Sequence, residues 1–109
     1  MTSYPDEKTL EIIQNWDIIN DGVEPLLELL ENEWAYSEMG GFKRKKSCDD
    51  TKEILELHTY GWSGNEDIIY ALKNNFAFWS IFWWKSERGG HYWFEIKEIP
   101  KQVDLGVEK

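Results

Sequence analysis

Apolar residues in the first third of the chain recur with the spacing of an α-helix. The first stripe predicts a helix over residues 5–20, with proline and acids in a favourable first turn; its members are Ile12, Ile13, Trp16 and Ile19. Residues 20–22 (Asn-Asp-Gly) are a typical helix stop, so a second helix is predicted to begin near Val23 or Glu24. Its stripe is the most regular in the chain and consists of Val23, Leu26, Leu27, Leu30 and Trp34.

Two strands and a third helix are predicted in the middle of the chain. Residues 42–47 and 51–60 favour strands, joined by a turn at residues 48–50. The third helix is predicted to start at Ser63, because Ser63 and Glu66 have the spacing of a capping box. It ends at two asparagines, and its apolar face consists of Ile68, Ile69, Leu72 and Phe76.

The most aromatic stretch of the chain, residues 76–96, predicts a β-hairpin. Aromatic and β-branched residues favour strands, and the polar, glycine-containing break at residues 85–90 separates two such runs. The complete pattern predicts an α+β fold of one domain over residues 1–109, with flexible tails at 1–4 and 101–109. Its sheet has four antiparallel strands in two hairpins, and the order of elements is α-α-β-β-α-β-β.

Alternation along residues 76–84 places apolar side chains on both faces of this predicted strand. One set is Phe76, Phe78, Ser80, Phe82 and Trp84, and the other is Ala77, Trp79, Ile81 and Trp83. Three helices can cover one face of the sheet, and no further element is predicted to cover the second. Trp79 and Trp83 are therefore expected either to be buried by another packing or to form a contact surface for a ligand or a second copy.

The charge of the chain is concentrated in its first part. The net charge is −9, and residues 1–40 contain ten acids and one base. Glu24, Glu28 and Glu31 form an acidic ridge on the second helix, which serves either solubility or a partner. The charge balance argues against duplex DNA as a partner. The basic residues 43–46 favour a guarded edge strand over a phosphate contact.

No residue pattern names a reaction, a metal or a cofactor. The two histidines, His58 and His91, lack the spacing of a ligand pair, and no phosphate-binding glycine motif is present. Cys48 lies in a predicted acidic turn, where a thiolate is disfavoured. Because no such pattern is present, we expect a noncatalytic protein. The lone cysteine and the absence of a signal-peptide pattern predict a cytoplasmic location. The apolar runs are too short for membrane spans.

Two glycine-containing loops are the candidate ligand sites. The first contributes Trp62, Ser63 and Asn65, and the second contributes Arg88, His91 and Trp93. If the loops meet, a cation and a ring would together suit a nucleotide. The alternative, which the turn-forming residue types favour, is that the loops serve only as a helix start and a hairpin turn.

Several motifs resemble small bacteriophage and prophage proteins whose function is not established. They are GWSGNEDII at residues 61–69, Phe78-Trp79, and RGGHY with Phe94-Glu95, so the resemblance covers about residues 55–96. It implies an intracellular accessory protein that binds and blocks a host factor. We therefore expect a protein partner contacted through the acidic ridge or the aromatic sheet face, or, as the alternative, a nucleotide module at the two loops.

Overall fold

The computed structural model describes residues 5–35, 40–47 and 52–97. The predicted tails and the turn at residues 48–50 therefore lie outside the described residues. The described elements are α1 (Glu7–Asn15), α2 (Ile18–Asp21), α3 (Glu24–Glu33), β1 (Phe42–Lys46), β2 (Glu53–His58), α4 (Ser63–Asn74), α5 (Phe76–Phe82), β3 (Trp83–Glu87) and β4 (His91–Ile96). The strands form an antiparallel sheet in the order β1-β2-β4-β3, which confirms the α+β prediction.

The first predicted helix is interrupted, so its prediction as one continuous element is wrong. Helix α1 ends at Asn15, and Trp16 has an extended backbone. The Asp17 carboxylate then accepts hydrogen bonds from the backbone N–H groups of Ile19 and Asn20, at 3.1 and 3.0 Å. Aspartate favours such a cap over a position inside a helix, and it therefore starts the short helix α2.

The prediction of a strand over residues 76–84 is also wrong, because residues 76–82 form helix α5. Asn75 begins this helix: its Oδ1 accepts a hydrogen bond from the Phe78 N–H at 3.1 Å. Its Nδ2 donates to the carbonyls of Ile13 and Trp16, at 3.0 and 2.9 Å. One buried amide thus caps α5 and satisfies the end of α1.

Helix α5 uses the aromatic residues at helical spacing. Phe78 and Phe82 are four residues apart and fully buried, and their rings lie 5.3 Å apart. The Phe78 ring also packs on Phe94 of β4, at 5.4 Å. The preference of aromatic residues for strands depends on the packing they find, and here the better packing is helical. The alternation of faces predicted for residues 76–84 fails for the same reason.

The sheet has one face in the core and one outside it. The inner face contributes Phe42, Leu55, Leu57, Phe94 and Ile96 to a single cluster with the apolar residues of the helices. Strand alternation places the opposite set on the outer face, which includes Lys43, Lys45, Ile54, Glu56, His58, Lys85, Glu87, His91, Trp93 and Glu95. Of the described outer-face residues, none belongs to the core cluster. No helix in the described ranges is long and apolar enough to cross a bilayer.

We predict that Asn75→Ala lowers the free energy of unfolding by about 2–4 kcal/mol, because it removes three hydrogen bonds and leaves polar backbone groups without partners. Urea denaturation followed by circular dichroism measures this change. Asn74→Ala is the matched control, since Asn74 is exposed at the preceding position and should change stability by less than about 0.5 kcal/mol. Equal effects of the two substitutions would contradict this role of Asn75.

Candidate functional site

The two glycine loops meet at one end of the sheet. Strands β2 and β4 pair with His58 opposite His91, so the loop after β2 lies beside the turn before β4. The Thr59 N–H donates to the Gly90 carbonyl at 2.9 Å. A Cβ at Gly90 would overlap Thr59 Oγ1, and the φ of Gly90 is +85°. The close approach of the loops therefore requires glycine at this position.

Asn65 has a structural role, and its assignment as a ligand-binding residue stays a prediction. The side chain is fully buried, and Nδ2 donates to the carbonyls of Ala35 and Thr59, at 3.1 and 3.3 Å. Its Oδ1 accepts from the Ala35 N–H at 2.9 Å. Both amide hydrogens are thus used to join three backbone segments, so neither is left for a ligand.

The remaining residues of the first loop begin helix α4. The helix starts at Ser63 as predicted, but the N-cap residue is Trp62 and not Ser63, and the Trp62 side chain makes no capping hydrogen bond. The Glu66 carboxylate instead accepts from Thr59 Oγ1 at 3.4 Å. In the second loop, Arg88 is exposed in the turn that precedes β4. Trp62 is half-buried and Ser63 exposed.

The strand register brings together two histidines that are far apart in sequence. The Nδ1 atoms of His58 and His91 lie 2.6 Å apart, and His58 Nε2 lies 2.7 Å from a carboxylate oxygen of Glu56. The second oxygen of Glu56 is 3.2 Å from the Lys45 ammonium. The side chains of Glu56 and His58 are only 12% and 14% exposed. Lys45, Glu56, His58 and His91 therefore form one polar chain across three strands of the outer face.

The electrostatic effect of this polar chain is largest at Glu56. Along the contact between the two Nδ1 atoms, one imidazole nitrogen donates and the other accepts. Burial, the largest influence, raises the pKa of Glu56. Hydrogen bonds from His58 and Lys45 and their positive charges outweigh it and lower that pKa below its ordinary value of 4.5. Glu56 is therefore a carboxylate at neutral pH.

A groove of 410 Å³ lies at the other end of the outer face. We call it the Lys–Trp groove; its lining residues are Lys45, Lys46, Ser47, Lys52, Ile54, Trp84, Lys85, Trp93 and Glu95. The described lining therefore contains four lysines and one carboxylate, that of Glu95. Lys45 also belongs to the polar chain, and the Trp93 ring lies edge-on to His58 at 6.0 Å. The groove and the polar chain are therefore adjacent.

A β-bulge places Trp84 and Lys85 on the same face of the sheet. Trp83 pairs with Phe94 and Lys85 pairs with Trp93, so β3 has one extra residue between them. The Lys85 ammonium lies 4.6 Å from the centre of the Trp93 ring and 4.8 Å from that of Trp84. These two cation–π contacts hold the ammonium at the groove.

Sequence reasoning missed most of this groove. The polar residue Lys85 was expected in a turn, and Trp84 was expected on a regular strand. The basic residues 43–46 and the candidate ligand residue Trp93 were the available signals. The interpretation of the basic residues as a guarded edge strand is confirmed for Arg44, which forms 2.7 Å ion pairs with Glu24 and Glu53. Lys45 of the same run lies on the outer face and lines the groove, and Lys46 lines it at the end of β1.

The predicted contact residues Trp79 and Trp83 do not lie on the outer face. Their rings stack at 6.2 Å, and Trp79 also packs edge-on against Phe94 of the inner face, at 5.4 Å. They form an aromatic pair where α5 meets β3. The acidic ridge is exposed as expected, although Glu24 is engaged by Arg44.

Comparisons with known proteins do not assign the chain. No family model matches it, and no curated protein or solved structure is significantly similar to it. The resemblance to phage and prophage proteins therefore stays a prediction. Within the described ranges, no group of three or more acidic, histidine or cysteine side chains is arranged to hold a metal ion.

We predict that Glu56→Gln destabilises the protein by about 1–3 kcal/mol at pH 7, because it removes the charge that Lys45 and His58 contact. A carboxylate whose pKa is lowered by folding stabilises the protein above its unfolded pKa, and this contribution is lost as the pH falls through the folded pKa. The difference between wild type and variant should therefore shrink below about pH 4.5. Urea denaturation between neutral and acidic pH measures it.

Glu87→Gln is the control for this titration. Glu87 lies opposite His91 in the sheet, but its side chain is exposed, so the substitution should have little effect at any pH. A difference between wild type and Glu56→Gln that is constant or larger in acid would show that the charge of Glu56 does not stabilise the fold.

Proposed function

We propose that this chain is a noncatalytic binding protein that holds an anionic ligand in the Lys–Trp groove. One observation supports the proposal above all others: the Lys85 ammonium is fixed over two indole rings, and three more lysines in the described chain line the same groove. A fixed ammonium loses little side-chain entropy when an anion binds to it. The ligand site is therefore assigned to the outer face rather than to the two glycine loops.

The charge distribution supports an anionic ligand. The whole chain has a net charge of −9, so a group of lysines around one groove is a local exception. Lys45 and Lys52 are balanced by Glu56 and Glu95, at 3.2 and 3.3 Å. Lys46 makes no ion pair with a described carboxylate, and Lys85 is 3.9 Å from exposed Glu87. Among the described residues, the charges of Lys46 and Lys85 are therefore the least balanced of the four lysines that line the groove.

The groups that line the groove favour binding over catalysis. Ammonium groups attract an anionic ligand and indole rings stack on it, and these two kinds of group supply most of the described lining. The polar chain of Glu56, His58 and His91 lies at the other end of the face, where its hydrogen bonds tie β2 to β4. We therefore propose that it supports the sheet and does not react with the ligand.

Our second prediction is a protein partner that contacts the acidic ridge. Glu28 and Glu31 are exposed, but the Arg44 ion pair offsets the charge of Glu24. The host factor implied by the phage-protein resemblance is likewise a prediction, and it is compatible with an anionic ligand on the opposite side of the molecule.

We predict that tripolyphosphate or ATP binds to the protein and that Lys85→Gln weakens this binding about tenfold, the change expected when one charged contact is lost. Isothermal titration calorimetry at low ionic strength measures both affinities. Added salt should weaken binding further, because the contact is between exposed charges.

Lys73→Gln is the matched control for Lys85→Gln. The Lys73 ammonium also lies over aromatic rings, at 5.7 Å from Trp79 and 5.9 Å from Tyr92, but it is on the helical side of the sheet. Its substitution should leave anion binding unchanged. The proposal is wrong if neither anion binds at millimolar concentration, or if both substitutions weaken binding equally.

A further inference from the structure

The Lys–Trp groove offers a ring surface as well as charge. Trp84 is 46% exposed, so much of its indole is open to a ligand. Lys85 lies over the same indole, so an anion bound by Lys85 would lie next to this ring. A ligand that carries only charge would leave the ring surface unused.

The second ring of the groove is held firmly in place. Trp93 is half-buried, lies edge-on to His58 with an angle of 87° between the ring planes, and has His91 at 6.4 Å. Because the polar chain fixes both histidines, Trp93 is positioned before any ligand arrives. It therefore fixes Lys85 from one side, while exposed Trp84 is the ring available for stacking.

Size and charge limit the ligand to a small molecule. The groove volume of 410 Å³ lies at the lower end of the range of about 300–1,000 Å³ for small-molecule sites. Only Lys46 and Lys85 supply charge without a close carboxylate partner among the described residues. The net charge of −9 disfavours a long polyanion, whose binding depends on many phosphate contacts.

We infer that the ligand of the Lys–Trp groove is a nucleotide, with its base stacked on Trp84 and its phosphates bound by Lys85. This inference rests on the proposed function and adds the class of ligand to it. Indole rings stack on every base, so Trp84 itself gives no preference among bases. The phosphates should then provide the charge-dependent part of the affinity and the base the part that depends on Trp84.

The test compares ATP, tripolyphosphate and adenosine, each without divalent ions, by calorimetry on the full chain. ATP is expected to bind at least about tenfold more tightly than either of the other two, since stacking and charge contribute together. Trp84→Leu should weaken ATP binding about tenfold and tripolyphosphate binding much less, because Lys85 keeps its contact with Trp93. Trp84→Phe, which keeps a ring, should restore part of the lost ATP affinity.

Trp83→Leu is the matched control. Trp83 is the preceding residue and is similarly exposed, at 43%, but it stacks on Trp79 away from the groove. It should leave ATP binding unchanged, and thermal melts of the variants should confirm that each remains folded.

Three results would overturn the inference. Equal affinities for ATP and tripolyphosphate would show that charge alone is recognised, which leaves the proposed function in place. An adenine octanucleotide that binds more tightly than ATP would identify single-stranded nucleic acid as the ligand. Absence of binding by every probe would refute the proposed function as well.

Discussion

The helices cover one face of the sheet, and the rest of the structure depends on this packing. The apolar side chains of the described helices and of the inner face form one core, so the outer face must be compatible with water by itself. It meets this requirement through lateral contacts: Lys45 with Glu56, Lys52 with Glu95, and Lys85 with two indole rings. The same contacts that make the face stable in water also give it fixed charges and ring surfaces, which are the properties of a binding surface.

Two buried asparagines hold the helical layer in the arrangement in which the described helices pack on the inner face of the sheet. Asn75 joins the end of α1 to the start of α5, across about 60 residues of sequence, and Asn65 joins the segment after α3 to the loop after β2. A buried amide with satisfied hydrogen bonds is specific, because any other arrangement leaves polar groups unpaired in the core. Helix α5 thereby brings Phe78 and Phe82 into the core instead of extending the sheet.

Sequence patterns predicted those parts of the fold in which one periodicity was clear. Helix α3 and the start of α4 have a single apolar stripe, whereas residues 76–84 are apolar at nearly every position and fit a helix and a strand equally well. The site was harder to predict because it depends on long-range geometry. The contact of His58 with His91 follows from the register of β2 and β4, and the placement of Trp84 and Lys85 on one face follows from a bulge. Neither leaves a local signal in the sequence.

The central claim is that the outer face, and not the loop end of the molecule, binds the ligand. The most direct measurement is the ¹H–¹⁵N NMR spectrum of the indole N–H groups during a titration with ATP. We predict that the signals of Trp84 and Trp93 shift together, while those of Trp34, Trp62 and Trp79 stay in place. Shifts confined to Trp62 would contradict this and would indicate a site at the glycine loops. Shifts confined to the stacked pair of Trp79 and Trp83 would contradict it as well and would indicate a site on the helical side.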